Sequence, residues 1–204
     1  MLIFAEQKLA FLAVPKTGTT AFEMALRPRA DIIFAKRRKH LTAMRFHNKV
    51  APFLADTFGL TVEPMAVMRD PIEQIRSWYR YRSGPRQQGT PTSTEGCSFD
   101  DFVRAVISDD PPAFAGIGSQ FNFVTSARGE VLVHHLFAYE APTVFQAFLA
   151  DRFGEEVTFK QKNVSPYADA PLSDAVEAAL RAARADEFAL YDRVQRAGGH
   201  LVTA

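Results

Sequence analysis

Residues 9–20 read LAFLAVPKTGTT. The uncharged apolar run from Leu9 to Val14 is stopped by Pro15, the pattern of a strand buried on both faces. Gly18 to Leu26 then reads as a helix, with Phe22, Met24, Ala25 and Leu26 apolar. The turn between them carries Lys16, Thr17, Gly18, Thr19 and Thr20. A glycine there lets a ligand approach the backbone, and the amides of Gly18, Thr19 and Thr20 would open the helix and point at an anion. The three threonine hydroxyls add donors, and Lys16 adds a mobile positive charge. The plainer reading is a helix cap made by Thr17 or Thr19 with Lys16 in water. The position between a buried-type strand and a helix favours the anion site.

The rest of the chain alternates in the same way. Asp31 to Ala35 and Pro64 to Met68 read as short strands. Thr42 to Phe58 reads as a long helix closed by Gly59. Asp70-Pro71-Ile72-Glu73 gives an N-cap, a proline in the first turn and an acid at the third position, a strong helix start. Phe99 to Ile107 and Pro142 to Phe153 look helical, and Val131 to Tyr139 looks like a strand. Leu172 to Ala197 is a helical region, in one piece or two, ending at Gly198-Gly199. Ser83 to Gly96, just before Cys97, is rich in Gly, Pro, Ser and Thr and reads as a mobile surface loop. This alternation predicts a single α/β domain over residues 1–204, with a mainly parallel sheet flanked by helices. Ligands of such sheets bind at the carboxyl ends of the strands.

Composition narrows the function classes. The 204 residues are 47% hydrophobic and 12% aromatic, enough for a sizeable core. A net charge of +1 argues against a nucleic-acid binder, although it leaves room for a local anion site. The single Cys97 excludes an internal disulfide and any Cys-rich zinc site. The apolar run at Leu9 to Pro15 is far shorter than the ~18 residues that span a bilayer, and the start of the chain lacks a secretory pattern. A soluble cytoplasmic protein is the expectation.

The loop sequence also separates two kinds of phosphate site. A nucleoside-triphosphatase loop, G-x-x-x-x-G-K-[ST], has its lysine after the second glycine. Here Lys16 precedes the loop's glycine, Gly18, so that reading fails. P-K-T-G-T-T after an N-terminal strand instead resembles the 5′-phosphosulfate loop of sulfotransferases that use 3′-phosphoadenosine 5′-phosphosulfate (PAPS). That family has a second element, a strand followed by R-D-P and a helix with a serine eight residues after the arginine. Met65 to Tyr79 reads MAVMRDPIEQIRSWY, with Arg69, Asp70, Pro71 and Ser77 in those places. Weaker matches are Lys39 to Ala43, Asn163-Val164-Ser165 and Asp186 to Tyr191, and the closest likeness is to the carbohydrate type that includes the uronyl 2-O-sulfotransferases. The resemblance implies a P-loop-like fold and PAPS as donor, with 3′,5′-ADP (PAP) as product and an acceptor hydroxyl on a carbohydrate. It also implies that the Lys16–Thr20 loop holds the 5′-phosphosulfate while Arg69 and Ser77 hold the 3′-phosphate.

Apart from the resemblance, Arg69 at a strand end is a permanently charged fork suited to phosphate, or else a salt-bridge partner. Ile72, Ile75 and Tyr79 form one apolar stripe of the next helix, and Ser77 lies off it. Asp70 reads as a helix cap rather than a metal-binding carboxylate. Sulfuryl transfer also needs a base. His40 follows the second strand candidate, where a histidine acts as base in enzymes resembling the 2-O-sulfotransferases; Glu23 and Glu63 are the alternatives. Lys36 to Lys39 form the densest basic run, either solvated or facing an anion. Of His134 and His135, one should face the core and the other solvent, and no histidine pair has the H-x-x-x-H spacing of a zinc site. Rival readings are a kinase or nucleoside triphosphatase using Lys16 and Asp70, a nucleotide binder without catalysis, and a nucleic-acid binder using the basic run.

Overall fold

Leu2–Phe4 (β1) turns back through residues 5–8 to pair antiparallel with Leu9–Leu12 (β2), Leu2 lying opposite Phe11. A connection that short cannot make the crossover a parallel pair needs. The computed structural model describes residues 1–159 and 170–203 of the chain. After β2 come helix α1 (Thr19–Leu26) and a two-residue strand β3 (Ile32–Ile33), antiparallel to β1. Next are α2 (Ala43–Arg45), a wider turn over Phe46–Val50 and α3 (Ala51–Phe58), ending at Gly59 with φ 62°. Strand β4 (Glu63–Met68) leads into α4 (Pro71–Arg82), followed by α5 (Phe99–Val106) and α6 (Gln120–Val124). The chain closes with β5 (His135–Ala138), α7 (Pro142–Phe153), α8 (Asp174–Ala183), α9 (Ala185–Arg196) and β6 (His200–Val202).

The six strands lie in the order β3-β1-β2-β4-β5-β6. Only β2–β4 and β4–β5 pair in parallel; β1–β2, β1–β3 and β5–β6 are antiparallel. The expectation of a mainly parallel sheet is therefore corrected to a mixed sheet with a parallel centre. Helices cover both faces. Alternate strand residues such as Leu12, Ala66 and Leu136 pack on Phe46 and Leu54 of the α2–α3 segment and on Leu190 and Val194 of α9. Their neighbours Phe11, Val67 and Phe137 pack on Phe22 of α1 and on Phe145 and Leu149 of α7. Burying each such phenylalanine is worth ~1.5–3 kcal/mol, so both faces are held by large apolar layers.

Three expected elements differ in extent. The 42–58 helix is divided because Pro52 has no N–H and clashes with the carbonyl four residues back, and the preceding turn widens. Strand β5 starts only at His135, because Val131 bridges back to Thr125 and the Leu132 amide donates to the Val124 carbonyl. The 83–97 loop is irregular, yet its end is tied to α4. Thr94 is buried with its hydroxyl on the Tyr79 carbonyl (3.2 Å), and the Tyr79 hydroxyl donates to the Cys97 carbonyl (2.7 Å).

Candidate functional site

Strands β2 and β4 are parallel neighbours, so the turns that follow them emerge side by side at one edge of the sheet. In the first turn Lys16 has φ 67° and Gly18 has φ 73°, which bend the backbone into a concave loop before α1. Lys16 is a non-glycine residue in the left-handed region, a strained conformation costing of order 1–3 kcal/mol that concentrates at binding loops. A side chain at Gly18 would also place its Cβ 2.7 Å from Cε2 of Tyr139. Gly18 itself occupies the cap position of α1 and no side chain caps the helix, so the leading amides are open to a ligand. Thr17 is buried and donates inward to the Val14 carbonyl (2.9 Å); it shapes the loop rather than offering its hydrogen outward. Thr19 is buried and Thr20 exposed at the start of α1.

In the second turn, Asp70 accepts a hydrogen bond from the Glu73 amide (3.0 Å) and caps α4, as its sequence context predicts. The guanidinium of Arg69 lies 4.8 Å over the Tyr139 ring, with one Nη 3.5 Å from Glu73. Its buried Nε has no hydrogen-bond partner among the described residues. Tyr139 therefore touches both elements, packing against Gly18 on one side and under Arg69 on the other.

Helix α4 turns two faces to different tasks. Ile72 and Ile75 enter a core with Phe99 and Phe102 of α5. The other face carries Gln74, Ser77, Trp78 and Tyr81, spaced i, i+3, i+4, i+7. Gln74 donates to the Pro15 carbonyl (3.2 Å), and the Lys16 ammonium rests 4.5 Å over Tyr81 and 5.7 Å over Trp78. Half-buried Ser77 sits on this loop-facing side. Lys16 makes no ion pair with a carboxylate among the described residues. Burial first, and the Arg69 charge second, push its ammonium down to about 8. A half-buried cation with no carboxylate of its own, beside a second cation, is the electrostatic mark of an anion site.

His40 joins this edge. Its Nδ1 lies 2.7 Å from the Ala13 carbonyl at the end of β2, and burial lowers its pKa below the usual histidine value, opposed by that hydrogen bond. Of the two alternative bases, Glu23 on α1 pairs with Lys39 (3.2 Å). Glu63 begins β4, at the opposite end of the strand from Arg69, and is held by Arg152 (2.8 Å). A cavity of about 220 Å³ opens between the loop and His40's segment, lined by Val14, Pro15, Thr42, Gln74, Gln120 and Phe123. Gln74 is 2% exposed and its Oε1 has no partner among the described residues, an acceptor waiting for a donor. A larger cavity, about 450 Å³ and lined by Ala115, Phe121, Arg184 and Glu187, shares Ile117, Gly118, Ser119 and Asn122 with the first, and neither Lys16 nor His40 lines either one.

Sequence reasoning missed what holds Arg69 in place. The buried Gln120 amide accepts from the Arg69 N–H and donates to the Arg69 carbonyl, both at 2.9 Å. Glu187, also buried, accepts from Gln120 (3.1 Å) and pairs with Arg184 (3.2 Å). Glu140 accepts from the Asp70 amide (3.0 Å) and from the Tyr191 hydroxyl (2.7 Å). The late 186–191 segment thus fixes the turn without entering it. Asn163 and Ser165 lie outside the described residues. No protein-family model matches the chain, and no curated protein matches its sequence significantly. Among the described residues, no helix is long and apolar enough to cross a membrane.

Proposed function

We propose that the protein is a PAPS-dependent sulfotransferase with a P-loop-like fold that transfers a sulfuryl group to a hydroxyl, on a carbohydrate acceptor. The observation that carries the reading is that the Lys16–Gly18 loop and Arg69 stand side by side in the turns after two adjacent parallel strands, with Tyr139 packed against Gly18 and under Arg69. A donor with a phosphate at each end needs two separate cationic seats, and this edge has two. The seats fit such a ligand: among the described residues the Arg69 Nε is a buried donor without a partner and no side chain caps the α1 amides, and Gly18 leaves no room for a side chain.

In this reading His40 Nε2 removes the proton of the acceptor hydroxyl, whose oxygen forms a bond to sulfur as the sulfur–phosphate oxygen bond breaks. Lys16 and the loop amides stabilise the charge that develops on the departing phosphate oxygen, where fixed donors matter most. Arg69 and Ser77 hold the distant 3′-phosphate. The rival kinase or triphosphatase needs Asp70 free for a metal, whereas Asp70 is committed to capping α4. The test is PAP release from PAPS in the presence of chemically desulfated, uronate-containing polysaccharides. Acceptor-dependent PAP release with sulfate on the polymer is expected; turnover of ATP with Mg²⁺ and none of PAPS would overturn the reading.

A further inference from the structure

At the opposite edge of the sheet, the starts of β4 and β5 and the middle of the β5–β6 pairing bring together residues far apart in sequence. Glu63, His134 and His135 present ligand atoms that all lie within 4.8 Å of one another. This group stands about 16 Å from the Arg69 end of β4, five residues of strand away. We propose that Glu63, His134 and His135 form a binding site for a zinc-class divalent transition-metal ion, separate from the anion site.

Zinc takes histidine nitrogens and carboxylate oxygens at ~2.0–2.2 Å, so neighbouring ligand atoms of a tetrahedral site stand about 3.3 Å apart. His135 Nε2 and Glu63 Oε2 already stand at 3.2 Å. His134 lies edge-on to His135, with ring centroids 4.7 Å apart, and offers a nitrogen within 4.8 Å of the other two ligand atoms as the third ligand. Glu63 remains 39% exposed at its side chain, so a water can complete the coordination.

The surroundings suit an ion as well. His135 Nδ1 lies 3.0 Å from His200 Nε2, and the His200 ring is stacked on Phe137 at 4.2 Å. Without metal, His135 Nε2–H donates to Glu63, so its Nδ1 accepts from His200 Nε2–H. With metal, His135 Nε2 gives its lone pair to the ion, and the hydrogen bond reverses: His135 Nδ1–H donates to His200 Nε2. Both histidines change tautomer, the imidazoles stay neutral and no proton is lost. A ligating histidine whose other nitrogen is held in this way is the usual arrangement of metal sites. Arg152 anchors Glu63 and is itself held by the Gln7 carbonyl (2.8 Å). Its positive charge opposes a second cation and weakens binding relative to a site without it.

The test is titration of the full chain with Zn²⁺ by calorimetry and with Co²⁺ by visible absorption, on the parent, His134→Ala, His135→Gln and His47→Ala. One ion per chain, at least about tenfold weaker binding in His134→Ala and His135→Gln, and parent-like binding in His47→Ala are expected. His134 is only half-buried, so its variant stays informative if His135→Gln fails to fold. Nitrogen-15 spectra of the imidazoles should show His135 and His200 exchanging tautomers on Zn²⁺ addition. No binding at tens of micromolar Zn²⁺, or equal binding by the parent and His134→Ala, would overturn the proposal.

Discussion

His40 Nδ1 stands 2.7 Å from the carbonyl oxygen of Ala13, the residue that follows β2. A carbonyl only accepts, so Nδ1 carries the hydrogen and Nε2 keeps its lone pair. The bond ties His40 to the strand that launches the Lys16 loop.

His40→Ala should lower sulfuryl transfer by ~10²–10⁴ per folded molecule while leaving PAP affinity nearly unchanged. Burial lowers the His40 pKa, so the acidic limb of the parent's rate profile should fall below the ordinary histidine value of ~6.5. The same shift has a stability consequence. The unfolded chain takes up this proton first, so His40's contribution is present above ~6.5 and declines as pH falls toward the folded pKa. A folded, PAP-binding variant with near-normal turnover would move the base to Glu23.

Lys16→Met should stabilise the free protein and abolish its response to PAP. The ammonium is pushed from 10.5 to about 8 in the folded chain, so the folded state carries this charge at a cost at pH 7. The cost is full below about 8 and is relieved as pH rises toward 10.5. Removing it should raise stability by on the order of 1–2 kcal/mol at pH 7, discounted for partial exposure, and by little near pH 10. Melting curves at the two pH values check this. In the parent, PAP affinity should weaken as pH climbs through about 8.

Gly18→Ala should cost stability and nucleotide affinity together, because the new Cβ meets Tyr139 and the left-handed φ strains any side chain. Adding Tyr139→Leu should recover part of the packing loss. Double-mutant analysis of the melts should give a coupling of ~0.5–3 kcal/mol, the range for residues in contact. Additive effects would show that Tyr139 is not the wall between the two elements.

Gln120→Leu should weaken PAP binding although Gln120 is buried away from the ligand. It leaves the Arg69 backbone groups and the Glu187 carboxylate short of partners, each worth ~1–3 kcal/mol when buried. A loss of stability with unchanged PAP affinity in the folded fraction would make the clamp merely structural.

The parts of this site that were legible in the sequence are those built from local chemistry. Asp70, Pro71 and Glu73 specify the start of α4, Gly59 marks the end of α3, and the apolar stripe of Ile72 and Ile75 fixes which way Ser77 faces. What stayed hidden is long-range. The strand at Ile32–Ile33 was legible but not its antiparallel pairing, and Leu2–Phe4 and His200–Val202 are too short to show a period. Gln120 and Glu187 are single polar residues in unremarkable contexts, and only tertiary packing sets them on Arg69. The Glu63, His134 and His135 group crosses two strands that are neighbours in space and 72 positions apart between Glu63 and His135, so no linear spacing announces it.

The most direct measurement is the thermal shift of the parent and Arg69→Ala with PAP and with AMP, which lacks the 3′-phosphate. PAP at a hundredfold excess over Kd should stabilise the parent by ~2.7 kcal/mol, and AMP by far less. Arg69→Ala should weaken PAP binding by ~1.5–3 kcal/mol, the worth of a hydrogen bond to a charged group, and leave the AMP response unchanged. Equal shifts for PAP and AMP in the parent, or an Arg69→Ala variant that binds PAP as the parent does, would contradict a site built for two phosphates.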